Sequence, residues 1–313
     1  MHVDKDSILI TGGCGFLGQH LANDLVMHGY RVVLFDVKED RSLLDDHVDT
    51  ENCMVIRGDI TNISELIDAI ISQKVKSIIH TAAVLTRIGM VRPYYSIQVN
   101  ILGTCNVLEA ARFLKLGRIT FISSGAVYDP KLKSKACTED LPFSLEIPMA
   151  FYGCAKASCE MIGLKYAQMY GVDFVSARCA GIYGHGVTAS HYMTILVRET
   201  VRGKKVEFKK GGDHRFEFIY IKDAVQGVRK IHTAPQLKHR VYNIGTGQNH
   251  SLLEVAEKIK KCIPSADISL GPGLMEAPWV QRNPMDISRA KELGYQPEYD
   301  LDRGVAEFIR TFN

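Results

Sequence analysis

The stretch Ser7-Ile-Leu-Ile-Thr-Gly-Gly-Cys-Gly-Phe-Leu-Gly18 decides how this 313-residue chain folds. Its first five residues form an apolar, β-branched run that predicts a buried strand. Glycines follow at positions 12, 15 and 18, and apolar residues from Leu17 to Met27 then recur at helical spacing. A glycine turn that ends a strand and opens a helix is the pattern that binds the pyrophosphate of a dinucleotide.

Each of the three glycines has a physical role in such a turn. Gly12 allows the tight bend, Gly15 lets a pyrophosphate approach the backbone, and Gly18 allows the helix to pack closely on the strand. The amides of Phe16 and Leu17, at the positive end of the helix, would bind the phosphates. We therefore expect a dinucleotide cofactor at this turn.

The second predicted strand indicates which dinucleotide binds. It ends at Asp36, 18 residues after the last glycine of the turn. A carboxylate there accepts hydrogen bonds from the adenosine ribose and repels a 2′-phosphate, which favours NAD over NADP. Lys38 and Arg41 follow closely and argue in the other direction. After the third strand, Asp59 and Ile60 are expected near the adenine end of the cofactor.

Strand and helix alternate through the first half of the chain. Buried strands are predicted at 7–11, 31–35, 53–57, 77–80, 118–122 and 173–177. Amphipathic helices are predicted at 17–27, 63–71, 97–114 and 152–170. This alternation predicts an α/β fold built on a doubly wound parallel (Rossmann) sheet.

After Arg178 the predicted elements become shorter and glycine-rich turns separate them. Strands are expected at 206–208, 217–219 and 241–245, and helices at 192–201 and 252–262. Residues 1–177 are thus predicted to form the NAD-binding domain, to which later segments, about 217–248, return. Residues 178–313 are predicted to form mainly a smaller, discontinuous substrate-binding lobe.

The bulk composition excludes several classes of protein. A net charge of +3 is too small to indicate nucleic-acid or anionic membrane binding, and no apolar run approaches the length of a membrane span. The 8 cysteines include no Cys-x-x-Cys pair and the 11 histidines show no compact ligand spacing, so we expect no metal site. Scattered cysteines in apolar stretches indicate reduced thiols and a cytoplasmic protein.

Tyr152 and Lys156 stand four positions apart on one face of a predicted helix. A nearby ammonium favours the phenolate and would lower the pKa of the tyrosine from its ordinary value of about 10. Tyr152 is therefore a candidate to exchange a proton with a substrate.

A series of motifs in register over nearly the whole chain resembles the extended short-chain dehydrogenase/reductase family, in particular its sugar epimerase/dehydratase group. The series comprises the turn at 11–18, Gly58-Asp59, His80-Thr-Ala-Ala83, Val99-Asn100, Ser123-Ser-Gly-Ala-Val-Tyr128, Tyr152-x-x-x-Lys156, Arg178, Tyr183-Gly184, Phe218-Ile-Tyr-Ile-Lys-Asp223, Tyr242-Asn-Ile-Gly245 and Asp286-Ile-Ser-Arg-Ala290. The resemblance implies an NAD-dependent enzyme.

The resemblance also implies roles for individual residues. Tyr152 would exchange a proton with a substrate hydroxyl while the carbinol carbon exchanges a hydride with the nicotinamide. Lys156 would hold the nicotinamide ribose, and Ser124 would hydrogen-bond the same substrate oxygen as Tyr152. The positions that would line or support the cofactor cleft are Ala82, Ala83 and Asn100.

The residues after Ser124 discriminate between reactions within the family. Sugar dehydratases of the family carry an Asp-Glu pair there, and related decarboxylases carry a Glu just before the Val-Tyr. This chain has Gly125 and Ala126, neither of which can move a proton, so dehydration and decarboxylation are disfavoured. An NAD-dependent epimerase is the first expectation. The alternative is an NAD-dependent dehydrogenase of a sugar, sugar acid or other small hydroxy compound.

The substrate half departs from the family pattern. Nucleotide-sugar enzymes usually carry Asn where this chain has Gly181, and Arg-Asp-Phe where it has Phe216-Glu-Phe218. The candidates for substrate binding are Thr86, Ser124, Gly181, Arg215 and Arg282, of which Arg282 could pair with a diphosphate. A nucleotide sugar is the first expectation, and a smaller sugar or sugar acid is its rival.

Two predicted helices, near 97–114 and 152–170, resemble those that pair as a four-helix bundle in dimers of the family, which implies a homodimer. A third hypothesis is a binding protein that senses the cofactor without chemistry. Such a protein would be expected to lack part of the Ser-Tyr-Lys set, and here the set is intact.

Overall fold

The fold is seen in a computed structural model that describes residues 6–131, 135–144, 150–188, 192–275 and 280–312. Strands alternate with helices through the first part of the chain: β1 (Ser7–Thr11), α1 (Phe16–Met27), β2 (Arg31–Asp36), β3 (Cys53–Arg57), α2 (Ile63–Ser72), β4 (Val75–His80), α3 (Thr86–Val91), α4 (Pro93–Ile97), α5 (Gly103–Leu114), β5 (Ile119–Ser124), α6 (Ala150–Tyr170) and β6 (Phe174–Cys179).

The remaining elements are mostly shorter: β7 (Gly181–Tyr183), α7 (Tyr192–Val201), β8 (Val206–Phe208), β9 (Arg215–Phe216), β10 (Phe218–Tyr220), α8 (Ile221–Thr233), β11 (Val241–Ile244), β12 (His250–Ser251), α9 (Leu252–Cys262), β13 (Ile268–Leu270), α10 (Ser288–Glu292) and α11 (Leu301–Arg310). Helix α9 is capped by Ser251, whose side chain accepts a hydrogen bond from the Glu254 amide in a capping box.

Seven strands form one parallel sheet in the order β11-β6-β5-β4-β1-β2-β3. The order runs outward from β1 in one direction and from β4 in the other. This confirms the predicted doubly wound sheet and places the change of direction between β1 and β4. Three two-stranded sheets, β10-β7, β12-β9 and β13-β8, come from the later part of the chain.

The central strands are buried on both faces because helices cover both. Ile8 and Ile10 of β1 belong to one apolar cluster, whereas Leu9 between them belongs to a second. Alternate residues of a strand point to opposite faces, so the two clusters lie on opposite sides of the sheet. Helices α1 and α8 pack together, and helices α2, α5 and α6 form the other packed set. This sandwich holds the strand ends rigidly.

Two expectations about elements are corrected by the structure. The helix predicted over 97–114 is divided into α4, a π-helical turn (Gln98–Leu102) and α5. The carbonyl of Asn100 in that turn accepts hydrogen bonds from the Thr104 hydroxyl at 2.6 Å and the Cys159 thiol at 3.1 Å, which compete with the regular helical ladder. The strand predicted at 118–122 is shifted to Ile119–Ser124, so Ser124 ends a strand.

The later part of the chain contains elements that the sequence reading did not predict, namely β7, β9, β12, β13, α8, α10 and α11. The strand expected at 217–219 is β10, and Glu217 separates it from β9. Strand β8, at the expected residues 206–208, pairs in parallel with β13. None of the helices in the described ranges is both long and apolar enough to span a membrane.

Candidate active site

The candidate site lies where the strand order changes direction. The glycine turn follows β1, Ala82 and Ala83 follow β4, and Ser124 ends β5, so all of them are at the carboxyl edge of the sheet. A Cβ at Gly12 would lie 2.7 Å from the Cα and amide nitrogen of Ala82. The first two segments are therefore in close contact, as expected for the crevice in which doubly wound sheets bind their ligands.

The glycine turn has the geometry of a phosphate cradle. Gly12 has a φ of +64°, and a Cβ at Gly18 would lie 2.5 Å from the Gly13 carbonyl oxygen. A Cβ at Gly15, in contrast, would meet only the Gly12 carbonyl oxygen, at 3.0 Å. Gly15 precedes α1, and no side chain caps that helix. The first-turn amides, including those of Phe16 and Leu17, thus fit a pyrophosphate.

Asp36 is held in position at the end of β2. Its two carboxylate oxygens accept hydrogen bonds from the amides of Cys14 at 3.1 Å and Lys38 at 3.0 Å. Arg41 donates instead to the carbonyl oxygens of Val48 and Cys53, at 3.2 and 3.3 Å. The Arg41 guanidinium is therefore engaged within its own loop, which favours NAD over NADP.

We expect Asp36→Ala to weaken NAD binding by about 10-fold or more and to reduce the preference for NAD over NADP. The change removes charge-assisted hydrogen bonds to the ribose hydroxyls and the negative charge that repels a 2′-phosphate. Fluorescence titration with both dinucleotides measures the effect. Asp40→Ala, which alters an exposed carboxylate in the same loop, serves as the control. An unchanged NAD affinity in Asp36→Ala would contradict the assignment.

The other residues expected near the adenine end are fixed by local hydrogen bonds. The Asp59 carboxylate accepts hydrogen bonds from the amide and hydroxyl of Thr61, both at 2.8 Å. Ile60 is buried, and its carbonyl oxygen accepts a hydrogen bond from the Asn106 side chain at 2.9 Å. Both residues lie just beyond β3, on the same edge of the sheet as Asp36.

Asn100 supports the cofactor cleft by holding the segment at Val84 in place. Its buried amide side chain accepts a hydrogen bond from the Val84 amide at 2.7 Å and donates one to the Val84 carbonyl oxygen at 3.0 Å. These bonds hold the segment that directly follows Ala82 and Ala83. The structure therefore gives Asn100 a supporting role rather than direct exposure to the cleft.

His80 connects several parts of the site, a role that the sequence reading missed. Its Nδ1 lies 2.6 Å from the Thr11 hydroxyl and its Nε2 lies 2.9 Å from the Thr104 hydroxyl. Thr104 donates its own proton to the Asn100 carbonyl, so Nε2 carries the imidazole proton. Burial, together with the charge of Lys156, lowers the pKa of His80 to about 3, so it remains neutral. The sequence did contain a signal for this connecting role, because His80 begins the His80-Thr-Ala-Ala83 motif.

Ser124 lies beside Tyr152, and hydrogen bonding between the two side chains acts to lower the pKa of Tyr152. The Ser124 hydroxyl oxygen also accepts a hydrogen bond from the Ala126 amide at 3.1 Å. Lys156 is one turn further along α6, with its Nζ 5.7 Å from the centre of the Tyr152 ring. The structure thus brings together all three residues predicted to be catalytic.

The pKa of Tyr152 differs from the expectation. Burial raises it to about 12, and the hydrogen bond from Ser124 offsets this only in part. Lys156 does not provide the predicted lowering, because its ammonium donates to the Ile122 carbonyl at 2.6 Å and lies 4.5 Å from the centre of the Phe121 ring. The protein by itself therefore holds Tyr152 as a neutral phenol.

Lys156 should make the stability of the protein depend on pH in a recognisable way. Burial lowers its pKa from 10.5 to about 8. Between these values the unfolded chain binds more protons than the folded one, so stability rises with pH across this window. We expect the free energy of unfolding of the wild type to rise relative to Lys156→Met between pH 7 and 10.5. The relative gain should be up to about 3 kcal/mol.

Urea denaturation across this pH range tests the prediction. Lys165→Met, at an exposed position of the same helix, should keep the pH dependence of the wild type. Parallel curves for the wild type and Lys156→Met would show that Lys156 is not a desolvated cation.

The five residues predicted to bind substrate do not all converge. Thr86 begins α3, which packs against α6, and Ser124 ends β5. Gly181 is exposed on β7 and its amide donates to the Glu217 carbonyl at 3.1 Å. The other two candidates, Arg215 and Arg282, differ sharply in their partners.

Arg215 forms an ion pair within the protein. Arg282 instead contacts the loop at 125–128, which follows Ser124 and is called the catalytic loop below. The Arg215 Nη2 lies 3.1 Å from a Glu254 carboxylate oxygen and donates to the Asn249 carbonyl at 2.8 Å. The Arg282 Nε donates to the Tyr128 carbonyl oxygen at 2.9 Å. Its Nη2 is buried without an acceptor in the described part of the chain, and burial lowers its pKa to about 10.

Met285 fills the space beside Gly125. A Cβ at Gly125 would lie 2.4 Å from the Met285 methyl carbon. A longer side chain at Gly125 would therefore displace Met285. Within the described ranges, no three histidine, cysteine or acidic side chains are grouped so as to hold a metal ion.

Comparisons with known proteins agree with this geometry. The sequence profile of the NAD dependent epimerase/dehydratase family matches residues 8–245. A putative UDP-glucose 4-epimerase of Methanocaldococcus jannaschii is 27% identical over 96% of this chain and 97% of its own length. The mitochondrial L-threonine 3-dehydrogenase of Bos taurus is also 27% identical, over 98% of this chain and 82% of its own length.

A solved structure shows the same likeness in three dimensions. The UDP-glucose 4-epimerase of Thermotoga maritima, crystallised with UDP-glucose, superposes with a TM-score of 0.86 at 25% identity and covers 98% of both chains. The family match spans both the glycine turn and the Ser124, Tyr152 and Lys156 set. The chain therefore belongs to the NAD dependent epimerase/dehydratase family of extended short-chain dehydrogenases/reductases, and its cofactor is NAD.

Proposed function

We propose that the protein is an NAD-dependent epimerase that inverts one carbinol centre of a sugar. The observation that carries the proposal is the placement of Ser124 beside Tyr152 and Lys156, with Met285 filling the space next to Gly125. This arrangement offers one proton-exchanging group and no second acid–base pair at positions 125 and 126. It therefore suits reactions that move one proton and one hydride and does not suit the elimination of water.

Different residues of the chain have different roles in this reaction. Ser124 and Tyr152 hold the substrate hydroxyl, and the Tyr152 oxygen takes up its proton and later returns it. Lys156 is fixed by the Ile122 carbonyl and is placed to hold the cofactor ribose. When bound, NAD supplies the hydride acceptor and, in its oxidised form, a positive charge that favours the Tyr152 phenolate. The glycine turn, Asp36, Asp59 and the segment held by Asn100 would bind the cofactor.

A second candidate is an NAD-dependent dehydrogenase of a sugar, sugar acid or other small hydroxy compound. It needs the same three residues and differs in releasing the oxidised product. The pairing of Arg215 with Glu254 favours it, because that pairing engages a cation that could otherwise bind a nucleotide diphosphate. The similarity to L-threonine 3-dehydrogenase, at the same 27% identity as the putative UDP-glucose 4-epimerase, also supports it.

Absorbance at 340 nm and NMR of the sugar product distinguish the two reactions. Nucleotide sugars are assayed first, because relatives are named as UDP-glucose and UDP-glucuronate 4-epimerases, and unmodified sugars and sugar acids follow. An epimerase converts its substrate to the epimer with no net NADH. Steady NADH production without any epimer would overturn the epimerase proposal in favour of the dehydrogenase.

We also propose that the protein is a homodimer formed through α5 and α6. Large apolar side chains are exposed on these helices, including Phe113, Met161 and Met169. Such a patch is costly to leave in water and is typical of an interface. It lies on the two helices that correspond to the dimer helices of the resembling group.

The Phe113→Glu, Met169→Glu double variant is expected to be a monomer under conditions in which the wild type has twice the chain mass. Carboxylates in an apolar interface lose hydration without gaining partners, which favours dissociation. Light scattering during gel filtration measures the mass. Met27→Glu, which changes an exposed residue of α1, should leave the mass unchanged. A monomeric wild type would refute the proposed dimer.

A further inference from the structure

We propose that the substrate binds through a single carboxylate held by Arg282, so that it is a sugar acid or a comparable hydroxy acid rather than a nucleotide sugar. This inference narrows the substrate class and rests on the proposed function for its reaction. It follows from the pairing and burial of the side chains at the positions that the family resemblance implies for binding a nucleotide. These positions are Gly181, Arg215, Phe216 and Arg282.

Arg215 is engaged in an ion pair that a diphosphate would have to displace. Its guanidinium is bound to the Glu254 carboxylate at 3.1 Å and to the Asn249 carbonyl at 2.8 Å. Glu254 is itself held at the first turn of α9 by the capping box with Ser251. Because Glu254 is anchored in this way, moving Arg215 toward a ligand would leave that carboxylate without its cation.

Phe216 and His214, whose rings are stacked, contribute no positive charge either. The Phe216 ring stacks on the His214 ring with centroids 4.3 Å apart. His214 is 1% exposed, and burial lowers its pKa, which favours the neutral form. Its Nδ1 accepts a hydrogen bond from the Met275 amide at 3.1 Å. At Gly181 there is no side chain that could donate to a phosphate oxygen.

Arg282 is the exception among these positions. Its Nε and Nη1 donate to the carbonyl oxygens of Tyr128 at 2.9 Å and Val280 at 3.3 Å. No carboxylate of the described residues forms an ion pair with it, although Asp129 is near enough to interact with it electrostatically, and its buried Nη2 has no acceptor. A buried guanidinium in this state is stabilised by an anion that accepts from the free nitrogen.

The chain holds Arg282 rigidly beside the catalytic loop. The Asn249 side chain donates to the Arg282 carbonyl at 2.6 Å, and the Met285 amide donates to a Glu217 carboxylate oxygen at 2.7 Å. The carbonyl that receives the Arg282 Nε belongs to Tyr128, four residues after Ser124. An anion on Arg282 would therefore lie close to the loop that positions the reacting hydroxyl, as in a compact substrate.

The single positive charge of Arg282 indicates which kind of anion binds to it. One guanidinium neutralises one carboxylate, whereas a phosphate monoester carries about −1.5 to −2 at neutral pH and a nucleotide sugar has a charge on each of its phosphates. A diphosphate at this position would bring uncompensated negative charge into a partly desolvated site, which is unfavourable. A carboxylate matches the single charge of Arg282, which in the described part of the chain has no carboxylate in an ion pair with it.

Calorimetric titration of the NAD-loaded protein tests the proposal. The probes are D-galacturonate, D-glucuronate and D-gluconate, with D-galactose as the uncharged comparison and UDP as the nucleotide. We expect at least one sugar acid to bind about 10-fold or more tightly than galactose, and UDP to bind more weakly than that acid. Arg282→Met should remove the preference for the acid, and Arg282→Lys, which keeps the charge, should restore part of it.

Arg215→Met is the matched control, because it removes an arginine whose charge is already paired. It should leave the affinity for the sugar acid unchanged. Equal binding of acids and galactose would overturn the proposal, as would UDP binding more tightly than every acid and losing affinity in Arg215→Met. The NAD affinity of each variant reports whether it has folded.

Binding does not require turnover, so Tyr152→Phe should bind the acid like the wild type. A failure of the epimerase assignment therefore leaves this test intact.

Discussion

Tyr152→Phe is expected to lower turnover by about 10²- to 10⁴-fold while NAD still binds. The substitution removes only the phenolic oxygen, which is the atom that exchanges a proton with the substrate hydroxyl. Ser124 lies beside Tyr152, and no other proton-exchanging side chain follows Ser124 in the loop at 125–127. Nothing nearby in that loop can take over the proton transfer.

The measurement is the rate of product formation at saturating substrate, together with NAD affinity by fluorescence. Tyr166→Phe is the matched control, since it makes the same chemical change on α6 and removes a hydrogen bond to Glu109. Its turnover should equal that of the wild type. Near-normal turnover in Tyr152→Phe would refute the catalytic assignment.

The roles of Ser124 and Tyr152 can be tested together. If both act on one substrate oxygen, adding Ser124→Ala to Tyr152→Phe should lower the rate far less than Ser124→Ala does alone. Residues that act as a unit are strongly non-additive in this sense. Additive effects of the two substitutions would show that Ser124 acts elsewhere.

Glu160→Gln is expected to destabilise the protein by about 3–5 kcal/mol. Glu160 is fully buried, and its carboxylate accepts hydrogen bonds from Arg178, which is 3% exposed. The Arg178 Nε lies 3.0 and 3.1 Å from the two carboxylate oxygens, and its Nη2 lies 2.7 Å from one of them. Removing the carboxylate charge leaves a buried guanidinium without compensation.

This ion pair also links the scaffold to the chemistry. Glu160 is one helical turn beyond Lys156 on α6, and Arg178 is in β6, next to the strand that ends at Ser124. The pair therefore fixes the helix that carries Tyr152 against the sheet. We expect Glu160→Gln to lose activity at temperatures where it is still folded, because the helix can shift relative to the Ser124 strand end.

Urea denaturation measures the loss of stability. Arg112→Met, which breaks the surface pair with Glu109, should have a much smaller effect, because both partners are solvent-exposed. The double variant Glu160→Leu, Arg178→Met should recover much of the stability, since neither buried charge remains. A cost below about 1 kcal/mol for Glu160→Gln would contradict the prediction.

Features that depend on neighbouring residues along the chain could be predicted from sequence. The glycines of the turn, Asp36 after β2 and the spacing of Tyr152 and Lys156 all follow from local rules of strand, turn and helix geometry. The strands 7–11, 53–57 and 206–208 and the helices 192–201 and 252–262 are confirmed with the predicted bounds. Burial of the central strands on both faces makes their apolar runs easy to recognise.

Features that depend on distant residues could not be predicted. The hydrogen bonds of His80 to Thr11 and Thr104, and the insertion of Met285 beside Gly125, join segments that are far apart in sequence. The π-helical turn at Asn100 arises from contacts with α6 and with the segment at Val84. No local pattern reports such contacts.

The sequence by itself determined the class of fold and the cofactor and predicted the proposed catalytic trio, because each depends on backbone geometry set within a few residues or on a series of family motifs. Only the tertiary structure decided the protonation and charge of the site. The spacing of Tyr152 and Lys156 indicated a lowered tyrosine pKa, but the folded protein raises it, since burial outweighs an ammonium that is bound to the Ile122 carbonyl. Likewise, the sequence alone does not distinguish Arg215 from Arg282 as a candidate for substrate binding. Desolvation and pairing, which depend on the whole fold, leave Arg215 in an ion pair at the surface and bury Arg282 Nη2 without an acceptor in the described part of the chain.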